Sequence, residues 1–419
     1  MQRDIALQHI LRRGVTEIIV EDDFLRAIQE RKPLRLKMGF DPSRPDIHLG
    51  HVVGLRKLSQ LQAMGHQVVL IVGDWTAQIG DPSGQSVTRP MLTHDQVLTN
   101  AESYIRQFFT VVDKDRAQVV WQSEWFGKFT LADVIGLTSQ FTVSQFLQRE
   151  DFSGRFRSGK PIAITELLYP LLQAYDSVAV EADVEFGGTD QKFNLLVGRD
   201  LQEKMGRRPQ QCFIMPMLVG TDGIRKMSKS LDNYIAVDDL PTEMYGKVMS
   251  LPDEIMMDYF EWLTDVSDQE LVDMKQALAT NSVNPMQLKK LLAANIVEQF
   301  HGHESADGAR VQFESVVQRG EVPGCVRTIE LSMDSTVDLP SVIFNAGLAT
   351  SRSDARRLID QGAVEINGKK TSSYCSEVGD DKAIRDGSLI KVGRRQYGQI
   401  LARPKHRGPG MKEMNTKDQ

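Results

Sequence analysis

Cysteine is scarce in this chain: its 419 residues hold three, Cys212, Cys325 and Cys375, far apart from one another. An odd count with no Cys-x-x-Cys pair and no histidine cluster of zinc spacing argues against a disulfide framework or a structural metal and fits a reducing compartment. Long apolar runs are missing as well. Nowhere do about 18 apolar residues follow one another, and the opening Met1-Gln2-Arg3-Asp4-Ile5-Ala6-Leu7 has no uninterrupted apolar core of a signal peptide. The expectation is a cytoplasmic protein without a membrane span. A global basic footprint is also lacking, since the formal net charge is -6, so any nucleic-acid contact must be local. No internal repeats are evident. The remaining composition, 41% hydrophobic and 25% charged, is that of a globular protein, long enough for roughly three domains at about 150 residues each.

The most informative stretch runs from Leu36 to His51. The apolar lead-in Leu34 to Met38 reads as a strand, Gly39-Phe40-Asp41-Pro42-Ser43-Arg44-Pro45-Asp46 as a turn into a loop, and His48-Leu49-Gly50-His51 as the opening of a helix. Strand, loop and helix N-terminus place backbone N–H groups and the helix dipole against an anion. Gly50 leaves room for a flat ring or a ribose on the backbone, and His48 and His51, three apart, share one face of the first turn. Taken singly, this is also how an ordinary helix with surface histidines begins. Far downstream, behind the turn signal Gly220-Thr221-Asp222-Gly223, stands Lys226-Met227-Ser228-Lys229-Ser230, which in isolation reads as a solvated charge run. The two together, in this order, point to a nucleotide site.

Between them the pattern is α/β. Asp4 to Glu30 reads as helix broken at Gly14, Gln67 to Asp74 as a buried parallel strand after the His48 helix, Thr93 to Val112 as helix, and Val119 to Trp121 as strand. Trp125 to Arg157 is mainly helical and rich in phenylalanine, which fits either core or a subunit interface. The helix Thr165 to Ala179 carries Tyr169, Gln173 and Asp176 at spacings of four and three, on one face amid leucines. Three convergent polar groups make a pocket wall. Strand Val184 to Gly188 then delivers Asp190 and Gln191 to its carboxyl end, where open α/β sheets bind ligands. Phe213 to Val219 is expected to be the last strand, leading to the Lys226 loop.

From Leu240 to about Phe313 helix follows helix, and Gly320 to Asp338 reads as linker. A third unit begins at Leu339; its Asn367-Gly368 is a strong hairpin signal, and Arg352, Arg356, Arg357, Lys369, Lys370, Arg394 and Arg395 form a basic stripe suited to phosphates. The tail from Arg403 reads as disordered.

These motifs resemble the paired signatures of class I aminoacyl-tRNA synthetases, and the whole chain is similar to the bacterial tyrosyl branch of that family. The resemblance implies a Rossmann-like parallel-sheet catalytic domain over 1–235 with a helical insert at 125–160, and an all-α domain on the anticodon side over 236–320. A linker over 321–338, a small α+β S4-like RNA-binding domain over 339–402 and a tail over 403–419 would follow. It implies tyrosine activation with ATP to tyrosyl-adenylate, release of pyrophosphate, and transfer to the 3′ end of tRNA(Tyr). ATP would enter as its Mg2+ complex, with no bound cofactor and no metal site on the protein, and the enzyme would be a homodimer joined near Trp125 to Arg157.

By the same resemblance His48, His51, Lys226, Lys229 and Arg89 are catalytic. Asp41, Ser43, Gly50, Gly188, Asp190 and Met227 complete the ATP site with them; Asp81, Tyr169, Gln173 and Gln191 hold the amino acid, and Asp176 accepts from the phenol hydroxyl. The basic stripe of the third unit would contact tRNA. Where the better-known branch has a tyrosine facing that hydroxyl, this chain has Lys37, an ammonium able to pair with Asp176 or donate to the phenol; where the family has a lysine after Gly84, this chain has Gln85. A polar group committed to the hydroxyl rejects phenylalanine by being left unpaired, and tyrosyl-tRNA synthetases are themselves the reference case for that effect, at about 10⁵. Other readings are a tryptophanyl enzyme, a non-catalytic RNA-binding protein built on the S4-like domain, and a small nucleotidylyltransferase.

Overall fold

The computed structural model describes residues 2–30, 32–42, 46–82, 92–318, 326–333, 335–393 and 396–403, with only the backbone at 2–6 and 94. Two compact units divide the chain, residues 1–306 and 307–419.

The first unit opens with α1 (Gln2–Arg12), β1 (Glu17–Ile19) and α2 (Glu21–Gln29). The sequence expectation of a broken helix missed β1, three residues that exist as strand because the edge of the central sheet pairs with them, Ile18 lying opposite Phe213. Gly14, at φ +62°, provides the left-handed turn that ends α1. There follow β2 (Arg35–Phe40), α3 (Leu49–Ala63), β3 (Gln67–Val72), the single turn α4 (Thr76–Ile79), α5 (His94–Phe108) and β4 (Ala117–Trp121). Four short helices, α6 (Ser123–Phe126), α7 (Leu131–Thr138), α8 (Val143–Phe146) and α9 (Glu150–Arg157), make up the phenylalanine-rich segment. Then come α10 (Ile164–Ala179), β5 (Val184–Gly188), α11 (Lys192–Lys204) and β6 (Gln211–Met215), which ends four residues short of the expected Val219.

The sheet has the order β1-β6-β5-β2-β3-β4, parallel except for β1. Its parallel strands read as continuous apolar runs because helices cover both faces: Val68, Val69, Leu70, Ile71 and Val72 are all buried. The chain moves outward from β2 to β3 and β4 on one side, and through β5 to β6 on the other. The order therefore reverses between β2 and β5, the switch point at whose carboxyl edge a crevice opens. Helices α12 (Pro241–Met249), α13 (Met256–Leu263), α14 (Asp268–Ala279) and α15 (Pro285–His301) complete this unit, around buried Tyr245, Tyr259 and Phe260. One further helix, α16 (His303–Phe313), spans the division between the units; the sequence marks it only as the end of a helical run.

In the second unit the stretch 320–338, expected as linker, contains two strands, β7 (Arg327–Ser332) and β8 (Ser335–Asp338). Their partners lie far along the chain, so no local turn signal marks them. After α17 (Leu339–Asn345) and α18 (Arg352–Asp360) come β9 (Val364–Ile366), β10 (Lys369–Lys370), β11 (Cys375–Val378), β12 (Leu389–Val392) and β13 (Gln396–Arg403). The sheet order is β10-β9-β12-β13-β7, with β8 and β11 as a separate pair, and its core includes Leu339, Ile343, Ala355, Ile359, Val364 and Ile390. Asn367 at φ +51° and Gly368 at φ +78° form the expected hairpin turn.

Candidate active site

At the carboxyl edge of the sheet a cavity of about 730 Å³ opens, bounded by the ends of β2, β3, β4 and β5, by α10 and by the Lys226 loop. Two remote stretches of chain meet there through backbone pairing. Leu49 N–H donates to Ile235 O at 3.0 Å and Val237 N–H to Ile47 O at 3.0 Å, joining the start of α3 to the residues after the lysine loop. The loop is a hairpin: Met227 N–H donates to Leu218 O at 2.7 Å, and buried Asn233 donates to Asp222, Arg225 O and Lys226 O while accepting from Ser228 N–H. Asn233 was not singled out from sequence; its position, seven residues after Lys226, carries no motif signal.

His48 caps α3. Its Nδ1 accepts from Gly50 N–H at 3.2 Å, and His51 Nδ1 accepts from His48 N–H at 3.2 Å, with the two rings 3.9 Å apart. Both Nδ1 atoms being acceptors, each ring carries its proton on Nε2 and offers it as a donor. Burial, reinforced by Lys229, holds His51 at a pKa of about 3, and burial with His51 and the two loop lysines holds His48 well below its usual range. Both imidazoles are therefore neutral donors near pH 7, which suits phosphate oxygens without proton exchange. The reason for Gly50 differs from the expected ligand clearance: a Cβ there would lie 2.9 Å from His48 Cε1, so glycine admits the folded-back imidazole. Gly39, by contrast, has nothing within 4 Å of a Cβ position and lines the cavity, a bare patch of strand that sequence reasoning passed over as turn.

The lysines rest on site partners. Lys229 Nζ donates to Tyr104 Oη at 2.7 Å, and Lys226 Nζ pairs with Asp190 at 2.8 Å. Asp41 accepts from Tyr169 Oη and from Thr76 Oγ1, each at 2.7 Å, and Thr76 Oγ1 lies 3.0 Å from Gln122 Oε1. Gln122 Nε2 donates to Asp176 at 2.7 Å, and Trp125 Nε1 donates to the other oxygen of Asp176 at 3.2 Å. Contacts thus run from Tyr169 and Asp41 through Thr76 and Gln122 to Asp176, and Lys229 and Tyr104 line the same cavity. Burial raises the Asp176 carboxyl to a pKa of about 7, against the opposing pull of Lys37 and the two donors.

Of the residues expected at the site, Asp41, His51, Asp81, Tyr169, Gln173, Asp176, Gln191 and Lys229 line the cavity. His48, Gly50, Gly188, Asp190, Lys226 and Met227 flank it without lining it, and Ser43, Arg89, Arg394 and Arg395 lie outside the described residues. The expectation for Lys37 needs correction. It neither lines the cavity nor bonds Asp176: wholly buried, it donates to Glu185 at 2.8 Å, Ser177 Oγ at 2.7 Å and Gln173 O at 2.9 Å. An ammonium inside a parallel sheet requires a carboxylate, and Glu185 on neighbouring β5, directly opposite Lys37, supplies it. Tyr104, Thr76 and Gln122 were missed; Gln122 was legible in principle as the residue following a strand at the ligand-binding edge.

Family models match both parts of the chain: tRNA synthetases class I (W and Y) over residues 29–318, and the tyrosine--tRNA ligase SYY-like C-terminal domain over 321–400. The chain belongs to the class I tRNA synthetases of the tyrosine branch. It is 55% identical over 400 residues to a tyrosine--tRNA ligase of Dehalococcoides mccartyi, covering 96% of this chain and all of that one. With the Moorella thermoacetica tyrosine--tRNA ligase it shares 47% identity over 96% of this chain and 97% of the relative. The fold matches that of a tyrosyl-tRNA synthetase from Archaeoglobus fulgidus solved with L-tyrosine, at TM-score 0.60 and 22% identity over 73% of this chain and 99% of that one. As a tyrosine--tRNA ligase the protein joins tyrosine to tRNA at the expense of ATP. The tryptophanyl, non-catalytic and nucleotidylyltransferase readings are set aside by these matches.

Proposed function

We propose that the 730 Å³ cavity is where tyrosine and ATP react. Its chemistry needs no general base, because the attacking tyrosine carboxylate is already nucleophilic; it needs the charge developing at the α-phosphate held in fixed geometry. His48 and His51 donate from neutral Nε2–H groups, and Lys226 and Lys229 leave Asp190 and Tyr104 to meet the departing pyrophosphate. Gly50, Gly188 and Met227 shape the nucleotide side, Asp190 holds the ribose, and Ser43 and Arg89 extend the phosphate contacts. Asp81, Tyr169 and Gln173 take the ammonium, Gln191 lies near the carboxylate, and Asp176 accepts from the phenol. Asp41 orients Tyr169. Mg2+ arrives on the ATP.

The observation that carries this reading is that one cavity is lined both by Lys229, held on Tyr104, beside His51 and by the series Tyr169, Asp41, Thr76, Gln122 and Asp176, which supports a phosphate end and a phenol end in one cavity. Tyrosine-dependent ATP–pyrophosphate exchange on the parent and on Lys229→Ala tests it. A fall of at least tenfold in kcat with tyrosine KM unchanged is expected; a change in tyrosine KM alone would contradict the assignment.

We further assign tRNA contact to the second unit, through exposed Arg352, Arg356, Arg357, Lys369 and Lys370, with Arg394 and Arg395 beside them in sequence. In domain terms, residues 1–235 catalyse, the helices from 236 serve the anticodon side, and residues 327–403 of the second unit bind RNA. The protein acts in the cytoplasm as a homodimer. Leu131, Ile135, Val143, Phe156 and Ile164 are large apolar side chains left exposed on the short helices α7 to α9 and at the start of α10, which supports that face as the meeting surface of two copies.

A further inference from the structure

A second cavity, of about 100 Å³, shares no lining residue with the active-site cavity and opens where α1 and α3 face the end of α13. Three cationic side chains, Arg13, Arg56 and Lys57, line it. Two of them are compensated. Arg13 donates to the carbonyls of Phe260, Glu261, Thr264 and Val266 and sits 3.5 Å from Asp268, and Arg56 bonds Asp265 and, at 2.8 Å, Gln299. Glu261, also at the cavity, is paired with Lys275 at 3.2 Å, and Asp268 also pairs with His9 at 3.0 Å.

Lys57 is the exception. It is 5% exposed, and among the described residues its ammonium donates only to Ile10 O at 2.9 Å and Gln60 Oε1 at 3.3 Å, both neutral. Among the described residues no carboxylate pairs with it. A buried cation without a counter-ion is strongly unfavourable unless it loses its proton or an anion meets it. Counted against the described residues, one ammonium N–H of Lys57 and three guanidinium N–H groups of Arg56 remain uncommitted at the cavity. We propose that this cavity binds one small oxyanion as a monoanion (dihydrogen phosphate, bicarbonate or a short carboxylate), held by Lys57 and Arg56. One negative charge is what the site lacks once its internal pairs are counted, and a volume of this order accommodates one such ion and excludes a nucleotide. Burial and the two neighbouring arginines bring the Lys57 ammonium down to a pKa of about 7, so an arriving anion meets a group still able to hold its proton.

The test is the thermal midpoint of the full-length enzyme at pH 7 and constant ionic strength. Phosphate, bicarbonate and acetate are titrated separately against chloride, with a non-hydrolysable tyrosyl-adenylate mimic filling the active site. A saturable rise with at least one oxyanion is expected, abolished in Lys57→Met and weakened at least tenfold in apparent Kd in Arg56→Gln; the oxyanion with the lowest Kd identifies the ligand. Equal shifts in the parent and Lys57→Met, a chloride effect matching every oxyanion, or no saturable shift would each overturn the proposal. Should Lys57→Met fail to fold, undiminished oxyanion binding by Arg56→Gln overturns it in the same way.

Discussion

Replacing Lys37 by methionine keeps most of the side chain's length and removes its charge. Glu185 is then left 1% exposed with only neutral donors: Gln173 Nε2 at 2.9 Å, Ser177 Oγ at 3.2 Å and Gln210 Nε2. Breaking one side of a buried pair costs about 3–5 kcal/mol, because the remaining charge loses its compensation while staying out of water. All four tryptophans, Trp75, Trp121, Trp125 and Trp262, lie within residues 1–306, so urea unfolding followed by tryptophan fluorescence reports on the unit that contains the pair. The loss should be at least half recovered by the double variant Lys37→Met/Glu185→Gln, which removes the uncompensated charge and whose single amide oxygen still accepts from one of Gln173 and Gln210. The same pair fixes Gln173 from two directions, through its backbone carbonyl and its side chain. Tyrosine KM should therefore rise by about tenfold in the single variant, the equivalent of about 1.4 kcal/mol. A single variant within about 1 kcal/mol of the parent, or a double variant no more stable than the single, would refute the reasoning.

Gly50→Ala places a methyl 2.9 Å from the His48 ring and should reduce the rate of tyrosine activation on the order of a hundredfold in pyrophosphate exchange, with the thermal midpoint little changed. If Asp176 must be ionised to accept from the phenol, kcat/KM for tyrosine falls about tenfold per pH unit below its pKa of about 7, and Asp176→Asn flattens that limb in a pH–rate profile. The folded pKa of Asp176 exceeds the unfolded value. Its stabilising contribution is thus present at low pH and lost as pH rises through about 7, and Asp176→Asn should gain stability over the parent across that range in urea titrations at fixed pH. His51 stays neutral throughout, so no histidine limb between about pH 5 and 8 is expected in the activation rate. Charge reversal at Arg356 and Lys370 should weaken tRNA binding and lower its salt-dependence slope by about 2, measured by filter binding, while leaving pyrophosphate exchange intact.

Local signals were legible where a residue's role depends on its immediate neighbours. The strand β2 and the helix α3 that opens at His48, the pocket face of Tyr169, Gln173 and Asp176, and the Asn367-Gly368 hairpin all follow from spacing and turn chemistry. What escaped depends on partners remote in the chain. Lys37 meets Glu185 across 148 residues, and only the register of β2 against β5 places the two side by side. Strand β7 exists because β13 runs parallel to it, Ile329 opposite Ile400, so its own short sequence reads as linker. Gln122 and Tyr104 look like ordinary surface and helix positions until the sheet edge and the lysine loop close over them. Gly50 was singled out correctly as a position needing glycine, but for a ligand, whereas its neighbour His48 folds back onto it.

The role of Asp176 as reader of the phenol is tested most directly by one comparison: tyrosine against phenylalanine in ATP–pyrophosphate exchange, on the parent and on Asp176→Ala. If this carboxylate reads the hydroxyl, the parent strongly prefers tyrosine and the variant loses at least a hundredfold of that preference, mainly through poorer use of tyrosine. An unchanged tyrosine-to-phenylalanine ratio in a folded, active variant would contradict the assignment and move recognition of the hydroxyl to another wall of the cavity.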